Sequence, residues 1–235
     1  MHPFHPEYIL TAFIQIVPFI GVTLLMMAGT VLFGGLIGIL LAKAKMNRRM
    51  VPRAIAVIYI YLTRCIPSIV MLFLVYYGVP VFLSQFGIDV NHLSKGVFVI
   101  TAFSLLFASN LGEVFRGAYL AVDPGQREAA VSVGLSEFQA FYRIILPQAA
   151  VHALPNFSNM LINLMKEGSL AYSIGLIDIL GEGNLLVGLN QGSYSLEIYL
   201  AMALIYWMLT GIIEFSFGRL EAHLSKGKKH ITSAV

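Results

Sequence analysis

The chain has 235 residues, of which 58% are hydrophobic and 11% charged, with a formal net charge of +3. A soluble domain carries roughly 25% charged residues, so this composition excludes an ordinary soluble globule and points to an integral membrane protein. The positive balance does not call for nucleic acid, because membrane proteins gather Lys and Arg on one face of the bilayer.

Cys65 is the only cysteine, which excludes an intrachain disulfide and a cysteine-based metal cage. The six His residues form no HExxH or related pattern, so no metal site is expected. The first ten residues, MHPFHPEYIL, have no basic region and no small-residue cleavage site ahead of the first apolar run. That run therefore reads as a retained helix and not as a signal peptide.

A bilayer core takes about 20 helical residues to cross. From Tyr8 to Ala42 no residue is charged, which predicts a first span at 19–42, with 8–17 as an interfacial segment or a helical extension. KAKMNRRMVPR follows, with five basic residues and none acidic. Between Ala54 and Ile88 the only charged residue is Arg64, which predicts a second span at 54–79. The third span is expected at 96–117, with Glu113 and Arg116 in its last third. A polar stretch, 118–148, separates it from a fourth apolar segment at 149–180, which Lys166, Glu167 and Gly168 interrupt. GEGNLLVGLNQGS reads as a glycine-rich loop or re-entrant piece, and the last span is expected at 196–217. The sequence thus predicts a single all-α transmembrane domain over 1–235 with five spans.

The connections set an orientation. Placing 43–53, 118–148 and 219–235 on one side gathers Lys43, Lys45, Arg48, Arg49, Arg53, Arg127, Arg143, Arg219, Lys226, Lys228 and Lys229 there. By the positive-inside rule the N-terminus lies outside and the C-terminus in the cytoplasm.

The polar stretch has helical punctuation of its own. Asp123 can cap and Pro124 can start a helix, Gly134 interrupts it, and Ser136 with Gln139 has the spacing of a capping box for a second helix over 137–145. Phe138, Phe141, Tyr142 and Ile145 fall on one stripe of that helix, and Pro147 is expected to end it and to start the next membrane segment. The segment 123–147 is either a loop packed on its own bundle or a docking knob for a soluble partner.

Charges inside spans are costly and need partners or water, at roughly 3 kcal/mol each on insertion scales. Arg64 sits near mid-span, where it either forms a structural ion pair, for example with Glu113, or receives a solute carboxylate. Pro67 frees backbone groups and can kink the same span. Glu113 and Arg116, at i and i+3, suit a structural ion pair. Asn156, Asn159 and Asn163 make a polar stripe on the fourth span, facing another helix or a wet path. Lys166 and Glu167 interrupt the fourth segment and suit a buried pair or a contact with another subunit. Asp178, between two glycines, suits a helix cap.

EAAVSVGLSEFQAFYRIILP, at 128–147, resembles the EAA loop of ABC importer membrane subunits. Glu128, Ala129, Ala130, Gly134, Ile144, Leu146 and Pro147 match that pattern residue by residue. GEVFRGAYLAVDPGQREAA before it and KEGSLAYSIGLIDILG after it are similar to the polar amino acid branch of the family, whose members handle histidine, glutamine, arginine or cystine. The details of SLAYSIGLIDILGEGN look most like permeases for cystine or related sulfur amino acids. The chain departs from the branch at Gly168, where a small hydroxyl residue is frequent, at Cys65 and Ile66, which replace a glycine and a hydroxyl residue, and at Asn110, often a Tyr.

The resemblance implies a non-catalytic permease in a bacterial cell membrane. It also implies that Lys166 or Glu167 faces the translocation path. The knob would couple to an ATPase dimer, which would use ATP-Mg. A second permease chain, itself or a paralogue, would complete the path, and an extracytoplasmic solute-binding protein would deliver the amino acid. The chain has no G-x-x-x-x-G-K-[ST] run, so it is expected to bind no cofactor itself. A self-contained secondary transporter or channel for a small zwitterionic solute remains an alternative from the spans and polar stripe alone. It leaves the knob without a purpose.

Overall fold

Small residues at four-residue spacing decide how the two central helices meet. The computed structural model describes residues 4–225, and among them there is no strand. A helix at Pro6–Ile16 (α1) runs through a short 3₁₀ turn into Ile20–Lys45 (α2). After Met50–Cys65 (α3), Ser68–Phe73 (α4) and Val79–Ser84 (α5) comes Lys95–Leu120 (α6). Then follow Pro124–Ser132 (α7), Glu137–Ala140 (α8), Leu146–Gly168 (α9), Ile179–Leu189 (α10) and Ser195–Leu224 (α11).

α2 packs most extensively on α6. Gly34 and Gly38 of α2 face Ser104, Ala108 and Gly112 of α6. A Cβ at Gly38 would come within 3.2 Å of both Ala108 O and Gly112 N, and one at Gly112 within 3.2 Å of Gly38 O. In lipid, where no hydrophobic force drives helices together, such close backbone approach supplies the association. Around this pair Val99, Phe103, Phe107 and Leu111 of α6 bury against Met27 of α2, Leu72 of α4 and Met165 of α9. A second core joins Ala12 and Ile16 of α1 to Ile179 and Leu186 of α10 and to Ile198, Ala201 and Ile205 of α11.

The outer faces are apolar. Leu25, Leu32, Leu36 and Leu40 of α2, and Trp207, Ile212 and Phe215 of α11, are all exposed. A soluble protein would not present such faces, whereas hydrocarbon solvates them. Among the described residues three helical stretches are long and apolar enough to cross a bilayer: Pro6–Lys45, Lys95–Leu120 and Ser195–Leu224. Two bent pairs, Met50–Cys65 with Ser68–Ser84 and Glu137–Ile174 with Ile179–Leu189, raise the number to five if each pair is one span.

Residues 8–16 belong to α1, the helical extension of the first span that the sequence reading allowed, docked on α11. Other elements differ from the sequence reading. The span expected over 54–79, where the sequence allowed a kink at Pro67, is broken there by a bend of 107°. Ile66, ahead of Pro67, is extended at φ −95° and ψ 124°, because a proline ring pushes the preceding residue out of the helical region. The glycine-rich 181–193, expected as a loop or a re-entrant piece, is helical in its first half as α10, which is bent by 49° from the preceding helix. Asp178 caps it, its Oδ1 accepting from Gly181 N at 2.9 Å, and Gly181 sits where a Cβ would lie 3.1 Å from Leu176 O. Those glycines serve close packing, and the turn falls later, at Gln191 and Gly192, both with positive φ.

Pro147 does not end a helix either. α8 continues through a π turn at Phe141–Ile145 into α9. Another π turn, Leu74–Gly78, leads into α5 with its Pro80. Both prolines come two residues after a π turn. The wider turn takes up the missing N–H and the ring's steric demand without breaking the rod. Lys226, Lys228 and Lys229 of the expected basic tail lie outside the described residues.

Candidate functional site

The structure builds two candidate sites, one at the tip of the 123–147 segment and one within the apolar bundle.

At the tip, Asp123 Oδ1 accepts from Gly125 N at 2.7 Å and opens α7. α7 closes in a Schellman turn, with Gly134 N donating to Val131 O at 3.0 Å and Leu135 N to Ala130 O at 3.1 Å. Gly134 has φ +91°, a conformation that favours glycine. The reversed chain then starts α8 with both arms of a capping box. Gln139 N donates to Ser136 Oγ at 3.2 Å, and Ser136 N donates to Gln139 Oε1 at 2.9 Å. Arg127 reaches across with two N–H groups to the two oxygens of Glu137, Nε donating to Oε2 at 2.9 Å. That carboxylate holds the Arg127 proton more tightly than usual. The sequence reading missed this clasp, since nothing about residues ten apart across a glycine turn marks them as partners.

Ala130 is buried within the knob, and Ile145 is buried with Ala118, Val122 and Ala149, which anchors the knob on the bundle. Glu128, Ala129 and Pro147 are exposed, Ile144 is half-buried and Leu146 is 39% exposed. The expected aromatic stripe divides. Ile145 turns inward, Phe141 lies 6.3 Å from the Tyr119 ring, and Phe138 and Tyr142 stack at 6.0 Å on the outside. Phe138 is 74% exposed, Tyr142 61% and Val133 80%. The knob thus leaves the Phe138–Tyr142 pair, and Val133 at its turn, uncovered by its own bundle.

Within the bundle, a cavity of about 590 Å³ opens between α3, α6 and α9. Arg64, Asn110 and Glu113 line it from α3 and α6, and His152, Asn156, Asn159 and Asn163 from α9. The last four fall at i, i+4, i+7 and i+11, so they share one helix face. His152 was not singled out from the sequence, although it extends the asparagine stripe by one turn.

Arg64 is not paired with Glu113, as one sequence reading had it. Its Nε donates to Asn110 Oδ1 at 3.1 Å. Glu113 is occupied on both oxygens, by Lys45 Nζ at 2.5 Å and by Arg116 Nη2 at 3.0 Å. Arg64 is therefore a cation in a roomy cavity, hydrogen-bonded to a neutral amide and, among the described residues, in no ion pair. Pro67 lies at the bend beyond it. The structure does not bring Lys166 and Glu167 into the cavity lining. Glu167 Oε2 accepts from Ser68 Oγ at 2.8 Å, tying the end of α9 to the start of α4, and Lys166 is exposed beside it. The arrangement can hold a polar solute whose carboxylate meets Arg64 and whose other polar groups meet amides. Among the described residues no cluster of His, Cys, Asp and Glu could hold a metal ion.

Residues 34–226 match the family model described as binding-protein-dependent transport system inner membrane component. The chain is 36% identical to the L-cystine transport system permease protein TcyL of Bacillus subtilis (strain 168), over 92% of this chain and 89% of that protein. It is also 36% identical to the probable amino-acid permease protein YxeN of the same organism, over 94% of this chain and 96% of that one. Among solved structures, an amino acid ABC transporter with histidines superposes with a TM-score of 0.79 at 26% identity, covering 94% of this chain and 99% of its own. The MetNI methionine ABC transporter in an inward facing conformation shares the fold, with a TM-score of 0.67 at 16% identity over 90% and 95% of the two chains.

Proposed function

The chain belongs to the family of binding-protein-dependent transport system inner membrane components, as a permease of polar amino acid ABC importers, and on that premise we propose how its two sites divide the work. The knob over 123–147 docks into a cleft on an ATPase subunit and passes nucleotide-driven closure to the bundle. The cavity carries a zwitterionic amino acid, with L-cystine or a related sulfur amino acid first among candidates.

The observation that carries the coupling reading is the uncovered Phe138–Tyr142 pair, with Val133 at the turn, on an internally braced knob. Burying apolar surface in a partner stabilises contact by roughly 25 cal/mol per Å². Bracing the knob beforehand lowers the ordering cost of binding. Glu128 adds polar contacts at the rim, and exposed Ala129 lets a partner approach closely. A rigid knob moves as one lever, and α8 runs through the π turn into α9, whose asparagines line the cavity. Force on the knob therefore has a helical route to the solute.

In the cavity, Arg64 takes the substrate α-carboxylate and Asn159 and Asn163 take its other polar groups. Ligand cavities commonly measure about 300–1,000 Å³, so 590 Å³ suits an amino acid of cystine's size. The similarity to TcyL supports that choice of substrate. The assembly comprises two ATPase subunits using ATP-Mg, a second permease chain that is this chain or a paralogue, and an outside solute-binding protein. The N-terminus lies outside, and the basic connections face the cytoplasm.

Affinity purification of the intact chain in mild detergent tests the coupling reading. A stoichiometric ATPase should accompany the wild type and be lost from the Phe138→Asp variant. An ATPase retained by that variant at full stoichiometry would contradict the assignment of that pair.

A further inference from the structure

The connection between α2 and α3 carries charge that neither site uses. Lys43, Arg48, Arg49 and Arg53 are all exposed, and none has an ion-pair partner among the described residues. Lys45, between them, differs, because Glu113 holds it. The segment from Lys43 to Arg53 contains no acid. α3 begins there with no side-chain cap and no acidic residue in its first turn, so the positive end of that helix adds to the cations instead of being offset.

The apolar surface around them fixes where these charges sit. On α2 the exposed stripe of Leu36 and Leu40 continues one turn further into Lys43. On α3, Val51, Ile55, Ile58 and Leu62 recur at i, i+4, i+7 and i+11, each more than half exposed. Both stripes face hydrocarbon in a membrane-spanning chain, and both run into this connection. Met50, 83% exposed, lies between Arg49 and the stripe. The cations are therefore held at the edge of the hydrocarbon, at headgroup depth, where long basic side chains snorkel toward phosphate.

We propose that the α2–α3 connection is a binding site for anionic phospholipid headgroups, with Arg48, Arg49 and Arg53 on phosphate oxygens and Lys43 at the rim. Guanidinium suits phosphate because its planar fork can donate two parallel hydrogen bonds. The site is separate from the knob and the cavity, so it stands whether or not the coupling reading does. Its role is to fix the ends of α2 and α3 at the membrane surface while the bent α3–α4 pair moves.

A local fluorescent probe tests it. Trp207 is the only tryptophan, so Met50→Trp in a Trp207→Phe background places one reporter at the site. The full chain is reconstituted in vesicles of phosphatidylcholine with either brominated phosphatidylglycerol or brominated phosphatidylcholine as quencher. Each cation near an anionic surface is worth about fivefold in association. Brominated phosphatidylglycerol should thus win by about fivefold or more. The preference should vanish in Arg48→Gln/Arg49→Gln/Arg53→Gln and survive in the matching triple Lys variant, which keeps the charge. Equal quenching by the two lipids overturns the proposal, and so does a preference that persists in the triple Gln variant. If the cations serve a protein partner instead, the triple Gln variant loses its co-purifying ATPase while the two lipids quench equally, which also overturns it. Headgroup analysis of lipid retained by the unmodified chain through delipidation reads the same preference without the introduced tryptophan.

Discussion

Gly134 offers the sharpest perturbation of the knob. Its φ of +91° lies in a region where an L side chain is strained, and a Cβ built on it meets nothing within 4 Å. A Gly134→Ala change therefore adds backbone strain without a clash, about 1–2 kcal/mol. That strain is comparable to the stabilisation from the neighbouring capping box, about 1 kcal/mol, so the α7–α8 turn should open in a sizeable fraction of molecules. At 1.4 kcal/mol per factor of ten, the braced conformation loses roughly five- to thirtyfold in relative population. The bundle beneath keeps its packing, because Gly134 touches none of it. Gly134→Asn is the comparison, since asparagine tolerates left-handed backbone better than alanine. The assay is the ratio of solute taken up to ATP hydrolysed in vesicles holding the permease, its ATPase and its binding protein. The ratio should fall several-fold in Gly134→Ala and much less in Gly134→Asn, with unchanged chain stability in detergent. A normal ratio in Gly134→Ala would refute the claim that this turn must be rigid to couple.

Three further outcomes are expected. Gly38→Leu should lower the thermal stability of the purified chain, since backbone of α6 stands 3.2 Å from the new Cβ and overpacking costs about 1–3 kcal/mol; Gly21→Leu, with open space around it, should not. Arg64→Ala should raise the solute concentration for half-maximal uptake by about tenfold, the scale of one water-exposed charged hydrogen bond, while assembly judged by size-exclusion chromatography stays intact. Ser136→Ala should raise hydrogen exchange at the Gln139 amide about fivefold, as expected for the loss of a cap worth about 1 kcal/mol, without altering exchange in α6.

Local chemistry was the part most legible in the sequence. Asp123, Pro124, Ser136 and Gln139 mark helix starts because capping depends on residues a few positions apart. Hydropathy read the apolar segments because lipid exposure needs nothing from the rest of the fold. Prolines were read less well. The sequence admitted a kink at Pro67, and the backbone there bends by 107°. At Pro147 a stop was expected, and a π turn carried the helix through. Pro155 lies inside α9 without breaking it, so a proline alone does not announce whether a rod ends.

Tertiary pairings were the least legible. The Glu113–Arg116 pair follows from i, i+3 spacing on one helix, as the sequence indicated, but only the packing of α2 on α6 brings Lys45 and not Arg64 to the other oxygen. The Gly34/Gly38 pair and the Ser104/Ala108/Gly112 row are small residues four apart, a local signal of close helix packing. His152 likewise continued the asparagine periodicity. Lys166 and Glu167 attracted notice because they are charges in an apolar run, yet that rule selects residues needing partners, and Glu167 has one in Ser68.

The most direct test of the account is uptake of labelled L-cystine into vesicles containing this permease with its ATPase and binding protein. The account predicts uptake that requires hydrolysable ATP inside the ATPase compartment and binding protein on the opposite side. Uptake by the chain alone, driven by an ion gradient and indifferent to ATP, would contradict it and leave the knob as a folded loop.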